Sequence, residues 1–140
     1  MTHSRKPIPR KGAVNEPGSQ EIQMLGTMFK QGRYAEMEAL ARKLTIRFPS
    51  HGSGWKALGV ALMQQGRYAE ALEPLQKTTV LSRGDAQAHS NLGNVLLRLG
   101  RLLEAEASYR QTLKLDPNYA QAHGNLGVAL HDQGRLSEAE

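Results

Sequence analysis

Glycine followed by arginine recurs at Gly32, Gly66, Gly100 and Gly134, and successive glycines are 34 residues apart each time. No other feature constrains the fold as tightly. A fixed period of that length marks a helix-turn-helix solenoid, in which each unit buries its apolar face only by stacking on the next. The turn itself is written "GRYAE" twice, then "GRLLE" and "GRLSE". Counting from Gly18, the units run over 18–51, 52–85, 86–119 and 120–140, the last incomplete.

Within each unit the pattern predicts one helix before the Gly-Arg turn and a second after it. In the third unit these are "AQAHSNLGNVLLRL" and "LEAEASYRQTLKLD", with Leu92, Leu96 and Leu99 on adjacent turns of one face. Glycine after the first helix permits a left-handed backbone, and Pro117 cannot continue the second helix. Arg83 stands where the second unit should have proline, which assigns that turn to Gly84. The expected fold class is all-α, an αα-solenoid of antiparallel helix pairs.

The net charge of +5 is unevenly spread. Arg5, Lys6, Arg10 and Lys11 against Glu16 leave +3 in residues 1–17, a proline-containing stretch without aromatics that reads as a disordered basic leader. The units themselves are nearly balanced, so neither nucleic acid nor a membrane is an expected partner. No apolar run approaches a bilayer-spanning length and the first residues lack a signal-peptide core, which predicts a cytoplasmic chain. With no cysteine there is neither a disulfide nor a thiolate site.

Candidate chemistry is sparse. His89 and His123 occupy equivalent positions one unit apart and read as packed or half-buried imidazoles. Stacked units stand roughly 10 Å apart, whereas zinc needs ligands within about 2 Å. His131 and Asp132, being adjacent, should face different directions. The glycines of "GNLGVALHDQG" lie within a helix and not after a strand, so they make no phosphate loop. The chain is expected to be non-catalytic, without metal or cofactor.

The recurring residues resemble the tetratricopeptide repeat (TPR) family. Its pattern of a large residue, Leu-Gly, a turn glycine, an aromatic or Leu, Ala and finally Pro is matched by Trp55, Leu58, Gly59, Leu62, Gly66, Tyr68 and Ala71. The third unit supplies Leu92, Gly93, Leu96, Gly100, Leu102, Ala105, Tyr109 and Pro117; the fourth supplies Leu126, Gly127, Leu130, Gly134, Leu136 and Ala139. The resemblance implies a right-handed superhelix. Mid-helix Gly59, Gly93 and Gly127 each cost about 1 kcal/mol in propensity, which close packing should offset, with Ala71, Ala105 and Ala139 expected opposite them. Leu25 and Met37 break that rule in the degenerate first unit, whose helices should stand farther apart.

The resemblance also implies a concave groove lined by positions two, five, six, nine, twelve and thirteen of each unit. These are Ser53, Lys56, Val60 and Gln64, then Gln87, Ser90, Asn91, Asn94 and Arg98, then Gln121, Asn125, Val128, His131 and Asp132. The expected partner is a protein or peptide segment held in this amide-rich trough. Asn91 and Asn125 share one position, and the surrounding sequence is similar to the TPR region of O-linked N-acetylglucosamine transferases, whose asparagine ladder holds an extended peptide by its main chain. Ordinary solvated asparagines are the other reading. Two ladder bonds at ~0.5–1.5 kcal/mol each are small beside the ~8 kcal/mol of a micromolar complex. A chaperone-tail carboxylate clamp is half missing: Lys56 and Asn91 match, while Val60, Gln121 and Asn125 replace an asparagine and a basic pair.

Two functions therefore remain open, a non-catalytic interaction scaffold and the acceptor-recruiting arm of a larger enzyme such as a glycosyltransferase. Glu140 ends the chain a few residues into a helix, as expected of a piece trimmed from a longer protein or of an open end that pairs with another chain. On the second reading, Leu126, Leu130 and Leu136 form an uncovered patch and drive a homodimer.

Overall fold

A computed structural model describes residues 16–134. Of the expected leader only Glu16 and Pro17 fall within it, and Leu136 and Ala139 lie outside. Glu16 Oε1 is 3.7 Å from His51 Nε2, and Pro17 is buried.

The described residues form seven helices: α1 (Ser19–Lys30), α2 (Tyr34–Arg47), α3 (Gly52–Gln64), α4 (Tyr68–Leu81), α5 (Ala86–Arg98), α6 (Leu102–Leu115) and α7 (Ala120–Asp132). Each packs on its neighbours in chain order, and α1, α3, α5 and α7 also touch in succession. Among the described residues no helix contacts one more than two places away, which is the contact pattern of an αα-solenoid. No described helix is long and apolar enough to cross a membrane.

The first three Gly-Arg turns close as Schellman motifs. Gly66 has φ +75°, its N–H donates to the Met63 carbonyl at 3.0 Å, and the Arg67 N–H donates to the Leu62 carbonyl at 2.9 Å. Gly32, Gly100 and Gly134 share the left-handed backbone, with φ between 72° and 77°. Replacing Gly66 with Ala is expected to cost about 1 kcal/mol through backbone strain alone, because a Cβ there meets nothing within 4 Å. Urea denaturation with an unchanged m-value checks this.

The arginine after each of Gly32, Gly66 and Gly100 has a task that the pattern did not reveal. It reaches forward three residues and grips a glutamate in the next helix: Arg67 Nε and Nη2 donate to Glu70 at 2.9 and 2.8 Å. Arg101 does the same to Glu104 at 2.6 and 2.8 Å, and Arg33 pairs with Glu36. These exposed pairs are screened by solvent and add little to stability. Units are also tied together. Glu38 accepts from Gln65 at 3.0 Å and Arg67 at 2.7 Å, and Glu106 accepts from Gln133 at 3.1 Å.

Gly59 and Gly93 are crowded, whereas a Cβ on Gly127 would meet nothing within 4 Å among the described residues, and Ala139, expected opposite it, lies outside them. A Cβ on Gly59 would stand 2.5 Å from Leu75 Cγ and Cδ2, and one on Gly93 would stand 2.7 Å from the Tyr109 ring. The large partner lies one turn beyond Ala71 or Ala105, each of which is fully buried in the same cluster as that partner. In the first unit the sizes are exchanged: Leu25 holds the glycine position and Ala41 the large one, both buried in the same cluster. The α1–α2 contact is sparser than those of α3–α4 and α5–α6, as expected. Arg83 in place of proline changes nothing in the second linker, where the Asp85 N–H donates to the Ser82 carbonyl at 3.0 Å. The first and third linkers close alike, and Gly84 does not adopt a positive φ.

Among the described residues, which exclude Leu136, the expected leucine patch is not uncovered. Leu130 is 2% exposed and packed inside the array, Leu126 is half-buried against the second cluster, and the apolar residue that α7 leaves open is Val128 at 46%.

Candidate functional site: the groove of the first helices

The first helices line two adjoining depressions of different character. The one toward the chain start is apolar and encloses about 380 Å³ between Ile22, Leu25, Phe29, Met37, Ala57 and Val60, with Ser53, Lys56 and Gln87 at its edge. Ile22 and Phe29 are part-exposed there, and the Phe29 ring rests 6.0 Å from that of Tyr34. The second is polar, also about 380 Å³, and is lined by Gln64, Tyr68, Asn94, Arg98, Gln121 and Asn125 together with Met63 and Leu97. Within the expected amide-rich trough, the amide character is concentrated in the polar depression. Ile22, Gly26 and Phe29 stand at positions five, nine and twelve of the first unit, so the repeat register already pointed to them.

Electrostatics separate the two cations of this face. Lys56 Nζ lies 2.7 Å from Asp85 Oδ2, and Asp85 also caps α5 by accepting from the Ala88 N–H at 3.1 Å. Burial alone would raise the Asp85 pKa, but Lys56 and the helix N–H groups outweigh it and hold the carboxyl below its ordinary range. The charge of Lys56 is therefore already matched. Arg98 lies over the Tyr68 ring, 5.3 Å from its centroid, and stays exposed in the polar depression.

Some expected groove residues lie elsewhere. Ser90 is 0% exposed, with its hydroxyl unpartnered, because α5 is flanked on both sides and position five there turns into the stack. Asn91 is 9% exposed for the same reason. Asn125 donates its Nδ2 to Asn94 Oδ1 at 2.8 Å, so Asn91 and Asn125 do not present a matching pair of free amides. Val128, His131 and Asp132 are exposed on α7 but line neither depression. His131 Nδ1 and Asp132 Oδ1 approach to 3.5 Å despite their adjacency, because both side chains are free to lean together in solvent. That openness is unlike the enclosed setting of an acid–base pair.

His89 and His123 are structural. His89 Nε2 lies 3.1 Å from the Arg83 carbonyl and His123 Nε2 lies 2.7 Å from the Pro117 carbonyl. Trp55 Nε1 donates to the Pro49 carbonyl at 2.8 Å in the same place. Each ring N–H ties a first helix to the linker before it. Among the described residues no three metal-ligating side chains gather.

Comparisons with known proteins agree with this geometry. The family model described as "Tetratricopeptide repeat" matches residues 90–140, and that described as "TPR repeat" matches residues 59–100. No curated protein matches. A crystal structure of MamA superposes with a TM-score of 0.80 at 22% identity, covering 85% of this chain and 70% of that one. The first TPR of Spaghetti (RPAP3), bound to the HSP90 peptide SRMEEVD, gives 0.77 at 24% identity and covers 86% and 98%. The first TPR domain of human RPAP3 gives 0.76 at 22% identity, with 86% and 94% covered. At such identities these likenesses speak for the fold alone, but with the two family matches and the 34-residue register they agree that the chain carries tetratricopeptide repeats.

Proposed function

We propose that the chain is a non-catalytic scaffold whose groove holds an extended segment of a partner protein. The observation that carries this is the junction of two depressions on one face, apolar between Ile22, Phe29 and Val60 and amide-rich between Gln64, Asn94, Gln121 and Asn125. An extended chain has both needs, with apolar side chains to bury and a peptide unit every few ångströms to pair. Arg98 adds preference for an acidic group near the polar end.

A chaperone-tail carboxylate, of the kind in the RPAP3 complex, suits this groove poorly. Lys56 is held by Asp85, Val60 offers no amide and Asn91 is covered. The acceptor-recruiting arm of a glycosyltransferase leaned on Asn91 and Asn125 as a ladder; one is buried and the other is bonded to Asn94. The plain scaffold is the better reading.

Selection from a random peptide display library, followed by calorimetry on the winning peptides, tests it. Asn94→Ala is expected to weaken every selected peptide by about tenfold, because main-chain pairing does not depend on side-chain identity. Phe29→Ala should instead discriminate, acting on peptides that carry a bulky apolar residue. Affinities that neither substitution moves would place binding off this groove and end the proposal.

A further inference from the structure

Tyr109 belongs to α6, a second helix, yet its hydroxyl acts on the groove. Its Oη donates to Asn94 Oδ1 at 2.7 Å. The ring reaches that point through the space left by Gly93, where a Cβ would stand 2.7 Å from Tyr109 Cε1. The same Asn94 oxygen accepts from Asn125 Nδ2 at 2.8 Å. Asn94 and Asn125 both line the polar depression.

A pair of carboxamides has no direction of its own, since either can donate and the other accept. Tyr109 removes that freedom. Its side chain is fully buried, and burial pushes the phenol pKa up, so the proton stays on the oxygen. A buried hydroxyl proton needs an acceptor, and Asn94 Oδ1 provides it. With that oxygen turned toward Tyr109, Asn125 has to donate. What remains for the groove is the Asn94 NH2 as donor and the Asn125 carbonyl as acceptor.

We infer that Tyr109 is a positioning residue, which sets the direction of the Asn94–Asn125 pair and thereby gives the groove a fixed donor beside a fixed acceptor. This pattern complements the carbonyl and N–H of a peptide main chain, and in that respect the inference rests on the function proposed above. The preceding junctions lack the device: Leu75, Val60 and Asn91 stand at the three equivalent positions of one, and Ala41, Gly26 and Ala57 at those of the other.

The test needs no ligand. In the full chain labelled with 15N, hydrogen exchange of the side-chain amides is expected to be about tenfold slower for the bonded Asn125 proton than for the Asn94 NH2. Tyr109→Phe keeps the ring in the Gly93 gap and removes only the hydroxyl. The two amides should then share the donor role, and the difference should shrink to about twofold or less. Adding Asn94→Asp to Tyr109→Phe should restore slow exchange at Asn125, because a carboxylate can only accept. The inference is overturned if Asn94 is the protected amide in the parent chain, or if Tyr109→Phe leaves the tenfold difference intact. Peptide affinity is a separate readout: if the exchange pattern holds while groove substitutions leave binding unchanged, the peptide reading fails and the orienting role stands.

Discussion

Replacing Gly93 with Leu is expected to cost about 3 kcal/mol or more, and replacing Tyr109 with Ala in the same chain to recover part of the loss. A Cβ at position 93 alone falls 2.7 Å from the Tyr109 ring, and the ring has no room to retreat because it is buried on every side. Tyr109→Ala by itself should cost about 3–5 kcal/mol by opening a cavity. Together the two substitutions reproduce the arrangement of the first unit, where Leu25 and Ala41 hold these positions. A double-mutant cycle by chemical denaturation should therefore show a favourable coupling of about 1–3 kcal/mol. Strictly additive losses would mean that the two side chains do not compete for one space.

The second large effect centres on Asp85. Asp85→Ala is expected to cost about 2 kcal/mol near neutral pH, since it removes both the cap of α5 and the partner of a half-buried Lys56. Asp85→Asn keeps the cap and should cost less. The two also differ in acid. The folded-state pKa of Asp85 lies below its ordinary value, so its contribution is complete above an unfolded-state pKa of about 4 and is lost as pH falls through the lower folded value. Glu38 adds to the loss with the same sign, held down by Gln65, Arg42 and Arg67 against the effect of burial. Thermal melts between pH 7 and 3 should show a smaller acid-induced drop for Asp85→Asn than for the parent chain. An equal drop in both would remove Asp85 from the acid response.

Positions that depended on near neighbours were legible in the sequence. The left-handed turns at Gly32, Gly66, Gly100 and Gly134 follow from the steric freedom of glycine within a few residues. The linkers follow from short-range hydrogen bonds that Pro49, Arg83 and Pro117 all permit. The Arg-Glu grips were equally local and visible in "GRYAE", but the repeat pattern drew attention to the glycine instead. Glu38 with Gln65 and Glu106 with Gln133 recur at the same separation of 27 residues, a signal that a comparison between units would have exposed.

The sequence by itself thus determined the period, the helix pairs and the existence of a face built from first helices, because helix ends and turns are decided by chain-local sterics and hydrogen bonds. Only the tertiary structure decided what meets across that period. It set Leu75 against Gly59 and Tyr109 against Gly93. It covered Ser90 and Asn91 by stacking, and brought Tyr109 and Asn125, which are 15 and 31 residues from Asn94, onto one oxygen. Such contacts depend on the rotation and separation of packed helices, where a shift of about 1 Å breaks or makes a hydrogen bond, and no local rule fixes those two quantities.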